Sequence, residues 1–270
     1  MARMDLEQVR INTIRPNIYQ IYGVRPGSHV YLIKGVSKNV LIDTGIAIKF
    51  PALKENLSQV GLRPKDIDLV ILTHEHIDHA GAAVFFSKNA IIAAHRSAAN
   101  KIELQDEFVT QQKFQALRIF RKWHAGRLGV DLWLEEGNYI DLGNYQLRVL
   151  HTPGHTSGCI CLYEPNQKLL FSGDTVFAGG TLSEIGPSGN ISDYMNSIQH
   201  LSTLRIDELY PAHGRISKTP EEDMRHALKY ALSLFEDSKL LFQAMSTKRE
   251  ITDPRVLSFL ANLTDKKQDS

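Results

Sequence analysis

The chain has 270 residues, enough to bury a full core in one large domain or in one domain with an appendage. Hydrophobic residues make up 43% and charged residues 23%, which excludes a disordered or fibrous chain. Lys and Arg number 31 against 30 Asp and Glu, so no net field gathers nucleic acid or an anionic membrane, and neither is expected as a partner. No run reaches the roughly 18 apolar residues of a membrane-spanning helix. The segment Met1 to Arg10 is charged and has no apolar stretch of the kind a signal peptide needs. Cys159 and Cys161, the two cysteines, stand two apart on a predicted strand, where they share a face and are poor disulfide partners. Read as reduced and apolar, they fit a cytoplasmic protein.

In chain order, the first apolar runs read as strands: Ile18 to Ile21, Val30 to Ile33 and Val40 to Ile42. A helix is predicted from about Phe50 to Val60, with Leu53, Leu57 and Val60 on one face and Gly61 ending it. The strand Leu69 to Leu72 follows, then a polar run, then a short strand Ala90 to Ala94. Between about 97 and 128, Phe114, Leu117 and Phe120 recur at helical spacing among Lys, Arg and Gln, which predicts a helical insertion between the halves of a sheet. Strands resume at Tyr145 to Leu150, Cys159 to Tyr163, Leu169 to Phe171 and Leu209 to Tyr210, with a helix over Tyr194 to Leu204. After about residue 216 the pattern is helical. Thr219-Pro220-Glu221-Glu222 reads as a capping box, apolar residues continue from Met224 to Met245, and a last short helix starts at Asp253-Pro254. The expectation is an α/β fold, with a main domain over residues 1–215 and a C-terminal helical element over residues 216–270 packed on it.

The chemistry concentrates in Thr73-His74-Glu75-His76-Ile77-Asp78-His79-Ala80-Gly81, which places three imidazoles and a carboxylate directly after an apolar strand. Histidine nitrogens with a carboxylate suit zinc or iron better than calcium or magnesium. Four further polar residues follow predicted strands: Asp43, His155, Asp174 and His213. In layered α/β folds the loops beyond strand ends gather at one rim, so such residues can converge. His74, His76, His79, His155 and His213 with Asp78 and Asp174 exceed the roughly four ligands of one tetrahedral zinc. They suit two adjacent metals about 3.5–4 Å apart, an arrangement that stabilises both the attacking and the leaving group of a displacement.

The pattern His74-x-His76-x-Asp78-His79, followed by His155, Asp174 and His213, resembles the metal signature of the metallo-β-lactamase superfamily of hydrolases. Asp43-Thr44-Gly45 resembles that family's early strand-end motif, and the match runs from about Val30 to Gly214. The resemblance implies an αββα sandwich with a dinuclear site at one edge. By that analogy His74, His76 and His155 hold one divalent metal and Asp78, His79 and His213 hold the other. Asp174 would bridge them, and Asp43 would orient a ligand imidazole. Zinc is the metal the ligand types favour, with iron and manganese accepted by similar sites. Asp78 and Asp174 are the expected catalytic carboxylates, and His29 and Phe177 are expected at the rim. His95, His124, His151, His200 and His226 have no motif around them and read as surface or core.

The implied activity is attack of a metal-activated water on the carbonyl of a small-molecule thioester or ester, with Asp78 and Asp174 orienting the nucleophile. Drug-hydrolysing members of the family typically lack a bridging Asp. Gly173-Asp174-Thr175-Val176-Phe177 resembles the glyoxalase II pattern, which implies hydroxyacylglutathione hydrolase-like chemistry. The basic glutathione clamp of that branch has at most Lys218, Arg225 and Lys229 to represent it. The alternatives are a lactonase of the acyl-homoserine-lactone type (which usually has Tyr where Phe177 stands), a small metal-dependent RNase or phosphodiesterase, and a mononuclear-iron persulfide dioxygenase sharing Thr152-Pro153-Gly154-His155. Non-enzymatic members usually lose ligands, and here all seven stand. The expected pocket walls are the insertion from Phe108 to Trp123, the loop from Ala178 to Asn190, and the C-terminal helices with Phe235 and Phe242. The sequence leaves the oligomeric state open, a homo-oligomer included.

Overall fold

A computed structural model describes residues 10–23, 27–104 and 128–246, together with Pro254; for residues 241–246 it describes the backbone alone. The expected insertion wall from Phe108 to Trp123, His124, the Phe242 side chain, the last helix beyond Pro254 and the tail lie outside the described residues.

Two sheets form. In the first, β1 (Ile11–Arg15), β2 (Ile18–Ile21), β3 (Val30–Lys34) and β4 (Asn39–Ile42) run antiparallel, each beside the next. Then β5 (Leu69–Leu72), β6 (Ile91–His95) and β7 (Leu132–Leu134) extend the sheet in parallel. The second sheet holds β8 (Tyr139–Asp141), β9 (Gln146–His151), β10 (Ile160–Glu164) and β11 (Leu169–Gly173) in antiparallel order, and β12 (Glu208–Pro211) joins β11 in parallel. The described helices are α1 (Phe50–Gln59), the single turn α2 (Ile77–Ala80), α3 (Arg96–Glu103), α4 (Ile191–Leu201) and α5 (Pro220–Ser246).

The layering follows from the two-residue period of the strands. Val40 and Ile42, Leu69 and Ile71, Ile160 and Leu162, and Leu169 and Phe171 point between the sheets and form the central core with Tyr31 and Tyr210. The alternate residues Leu41, Val70 and Leu72 face outward, where Leu53 and Leu57 of α1 and Ala98 and Ile102 of α3 cover them. On the far side Cys161, Tyr163 and Leu170 meet Tyr194, Ile198 and Leu201 of α4 and Met224 and Ala231 of α5. Strands buried on both faces read as continuous apolar runs, which is why the sequence pattern located them. The result is the expected αββα sandwich.

Most predicted elements start or end within one or two residues of the observed ones, the ordinary play of element ends. The helix expected over Tyr194 to Leu204 lies over Ile191–Leu201, because the Asn190 side chain caps it at the backbone N–H of Asp193, 2.7 Å away. Among the described residues, three strands and two helices, the single turn α2 and α3, were not anticipated. β1 carries Asn12, Thr13 and Arg15 with no apolar run, and β7 and β8 are short with Leu132, Trp133 and Tyr139 exposed, so no strict alternation marks them. The helix α3, Arg96–Glu103, occupies the start of the stretch expected as an insertion. Its Ala98, Ala99 and Ile102 belong to the outer core beside the first sheet.

Burial pushes the Cys161 thiol up to about 11 and the Cys159 thiol well above its ordinary value. The native protein should therefore leave both thiols unmodified by an alkylating reagent near neutral pH and react at both after unfolding, counted by mass. Phe171→Ala should cost about 3–5 kcal/mol in chemical denaturation, because its ring fills the space between the sheets.

Candidate metal centre

β4 and β5 are parallel, so Asp43 and the run after Leu72 leave the first sheet at one edge. β9, β11 and β12 likewise point one way, since β10 is antiparallel to both β9 and β11 and β12 is parallel to β11. His155, Asp174 and His213 therefore leave the second sheet together. All seven expected ligands meet at the junction of these two edges.

They converge as three overlapping sets, in each of which the ligand atoms lie within 4.8 Å of one another: His74, His76 and His155; His74, His79 and Asp174; and Asp78, His79 and His213. His76 Nδ1 and His155 Nε2 are 3.0 Å apart. Asp174 lies between the outer sets. Its Oδ2 is 3.6 Å from His155 Nε2, and its Oδ1 is 3.5 Å from both His79 Nε2 and His213 Nε2. Asp78 Oδ2 stands 3.3 Å from His213 Nε2 and 3.7 Å from His79 Nε2. The His213 side chain is 37% exposed while His74 and His79 are fully buried, so the centre opens on the His213 side.

A network beneath the centre fixes the imidazoles. Asp43 has φ 59, a left-handed conformation that is costly for a side chain with a Cβ and persists only when its surroundings hold it. Its Oδ1 accepts from Thr73 N at 2.8 Å, and its Oδ2 accepts from Thr73 Oγ1 at 2.9 Å and from His79 Nδ1 at 2.8 Å. Thr73 Oγ1, having given its proton to Asp43, accepts from His74 Nδ1 at 3.1 Å. The Nδ1 proton of His155 is directed to the Glu184 carbonyl. In His74, His79 and His155 the Nε2 lone pair is thus left facing the centre, the tautomer a metal ligand needs. Gly173 has φ 51, and a Cβ there would come 2.8 Å from Thr73 Cβ, so only glycine brings the Asp174 turn this close to Thr73.

The electrostatics are those of a cation site. Burial, with the neighbouring imidazoles, holds His74 well below the usual histidine range and lowers His76 to about 3, so both are neutral and carry lone pairs. Burial opposes ionisation of Asp174 and Asp78 too, yet the charge of His79 and the contacts with His213 and other imidazoles keep both carboxyls below their usual range. For His79 the burial penalty is outweighed by Asp174, Asp78 and Asp43, which hold it well above its ordinary value, so a metal there would take the place of the proton on Nε2. His74 Nε2, His79 Nε2 and Asp174 Oδ1 are buried without a hydrogen-bond partner. Each such atom costs roughly 1–3 kcal/mol if left unpaired. Three of them in one pocket of nitrogens and carboxylates fit divalent metals of the zinc type.

The other residues singled out in the sequence fall around this centre. His29 accepts from Gly23 N at 2.9 Å through Nδ1 and donates from Nε2 to the Gly214 carbonyl at 2.8 Å, so it braces the turn after His213. The Phe177 ring lies 6.3 Å from that of His213, at the open side. His95 and His151 stack on each other at 3.8 Å outside the ligand sets. Lys218 and Arg225, both exposed, pair with Glu208 and Glu222. The roles of Thr73, of Ser28, whose Oγ donates to the Asp78 carbonyl at 2.8 Å, and of Glu75 were not foreseen. Glu75 stands between two histidines of the key run, and that position was its one signal.

The Metallo-beta-lactamase superfamily model matches residues 23–213, and the chain belongs to that superfamily. A human (Homo sapiens) protein named acyl-coenzyme A thioesterase MBLAC2 is 32% identical over 208 residues, covering 69% of this chain and 72% of the relative. A probable metallo-hydrolase of Methanocaldococcus jannaschii is 34% identical over 206 residues, covering 74% of this chain and 93% of the relative. A metallo-beta-lactamase family protein from Thermus thermophilus superimposes with a TM-score of 0.70 at 21% identity, over 86% of this chain and 84% of that one, which shows the shared fold.

Replacing Asp43 with Asn removes one acceptor from the His79–Thr73 network while keeping the side chain's size. Asp43→Asn should weaken metal uptake by about 10–100-fold in competition with a chromophoric chelator, with the far-ultraviolet circular dichroism unchanged.

Proposed function

We propose that the protein is a metal-dependent hydrolase of small-molecule acyl thioesters, with two divalent metals held by His74, His76 and His155 and by Asp78, His79 and His213. The observation that carries this reading is the place of Asp174, which turns one oxygen toward His155 and the other toward His79 and His213. The name of the human relative supports a thioester, and a coenzyme A thioester is the first substrate to try, ahead of the glutathione thioester that the Gly173–Phe177 segment suggests.

Zinc-type metals bound there supply Lewis acidity and let water ionise near neutral pH. Hydrolysis forms a carbon–oxygen bond, breaks the carbon–sulfur bond and passes one proton of water to the departing thiolate. Asp174 Oδ1, buried and unpartnered, would orient the attacking water. Asp78 Oδ2, beside the partly exposed His213, would carry the proton to sulfur on the side where substrate enters. Asp43 and Thr73 hold the His79 and His74 rings while this happens.

We further infer that residues 1–215 form the catalytic domain and that the helical element from residue 216 is seated on it through α4. The buried, unpaired Cys159 and Cys161 favour a reducing compartment such as the cytoplasm. No helix among the described residues is long and apolar enough to cross a membrane.

A panel of acyl-coenzyme A and glutathione thioesters, lactones, β-lactams and phosphodiesters, assayed with added zinc, manganese or iron, tests the reading. Thioesters should be the preferred substrates, and exclusive phosphodiester cleavage would overturn the proposal. Stripping the metal, or His76→Ala, should lower the thioesterase rate by on the order of a hundredfold or more, the equivalent of several kcal/mol of transition-state stabilisation.

A further inference from the structure

Glu75 separates His74 from His76 in sequence and is fully buried. A carboxylate at such a depth is costly unless it is paired and hydrogen-bonded. Its Oε2 accepts from Thr156 Oγ1 at 2.9 Å, and its Oε1 accepts from Ser188 Oγ at 3.0 Å and lies 3.3 Å from Lys101 Nζ. Lys101, on α3, also donates to Ser157 Oγ at 2.7 Å and to the Ser97 carbonyl at 2.9 Å. One ion pair thus joins the turn after β5 to α3 and to two loops.

Those two loops carry and brace His155. Thr156 and Ser157 follow it directly. Ser188 belongs to the loop whose Glu184 carbonyl takes the His155 Nδ1 proton and whose Gly186 N donates to the His155 carbonyl at 2.8 Å. That loop is pressed against the His155 turn, for a Cβ at Gly189 would stand 2.0 Å from the Gly154 carbonyl oxygen. Thr156, Ser188 and Lys101 all sit on segments remote in sequence from Asp78, His79 and His213. Glu75 itself stands three residues before Asp78, but its side-chain partners tie it to the segments that carry and brace His155.

We propose that Glu75, paired with Lys101, is a positioning residue that locks the strand-end turn to the His155 loop and so sets the His74, His76 and His155 imidazoles at metal-holding distance. It touches neither metal nor substrate. The device also couples that set to α3, so a displacement of this helix would reach one metal position before the other. The proposal rests on the two-metal reading given above.

The test is a titration of the full-length protein with zinc against a chromophoric chelator and with cobalt followed by visible absorption, for the unaltered chain, Glu75→Gln and Lys101→Met. The unaltered chain should take up two equivalents. Each variant should bind one of the two about 10–100-fold more weakly, with loss of the cobalt band of the nitrogen-rich set and little change at the other site. A variant that melts at a lower temperature but keeps both affinities and both bands overturns the inference and leaves the two-metal reading intact. Equal weakening at both sites overturns it as well. If the unaltered chain binds no metal, both the reading and the inference fall. Lys101 is the more accessible end of the pair, so Lys101→Met carries the test if Glu75→Gln does not fold.

Discussion

The Asp43 carboxylate accepts hydrogen bonds from the backbone and hydroxyl of Thr73 and from the His79 ring, and each joins one strand end to another. Its backbone is held in a left-handed conformation, and Thr44 adds two hydrogen bonds at 2.8 Å to the His79 carbonyl. The pairing of β4 with β5 sets the strands, and without this anchor the imidazoles that β5 delivers are free to choose the wrong tautomer. With it, His79 directly and His74 through Thr73 present bare Nε2 atoms to a shared space.

The two proposed ligand sets differ in setting. His74, His76 and His155 are buried, and a buried ion pair lies beneath them. Asp78 and His79 are also buried, but their third partner, His213, is partly open to solvent and neighbours Phe177. One side is closed to solvent and the other open to it. Carboxylates at the junction offset the charge that neutral imidazoles cannot, since two cations held by imidazoles alone would repel each other.

Most of the fold was legible because its strands are buried on both faces. Leu69 to Leu72 reads as an apolar block whether seen from the central core or from the outer one, and the observed strand has the same limits. β7 and β8 were not legible, because Trp133 and Tyr139 face solvent and only their neighbours across the sheet make strands of those residues. α3 was absorbed into a longer predicted insertion. Its alanines give little periodic contrast, and what places it is the His95 ring accepting from Ser97 N and the outer core waiting for Ile102.

The sequence by itself determined which chemistry was available. Five histidines and two aspartates at strand ends, with glycines beside them, leave few readings other than a metal centre, because such residues at such spacings have no common structural use. Tertiary structure decided which of these residues meet and what holds them. That Asp174 faces both sets, that Thr73 passes the constraint of Asp43 to His74, and that Glu75 reaches Lys101 are contacts between residues far apart in the chain. The side-chain period of a strand says which face a residue takes. It says nothing about which other strand end will stand opposite it, and that is settled only when the two sheets pack.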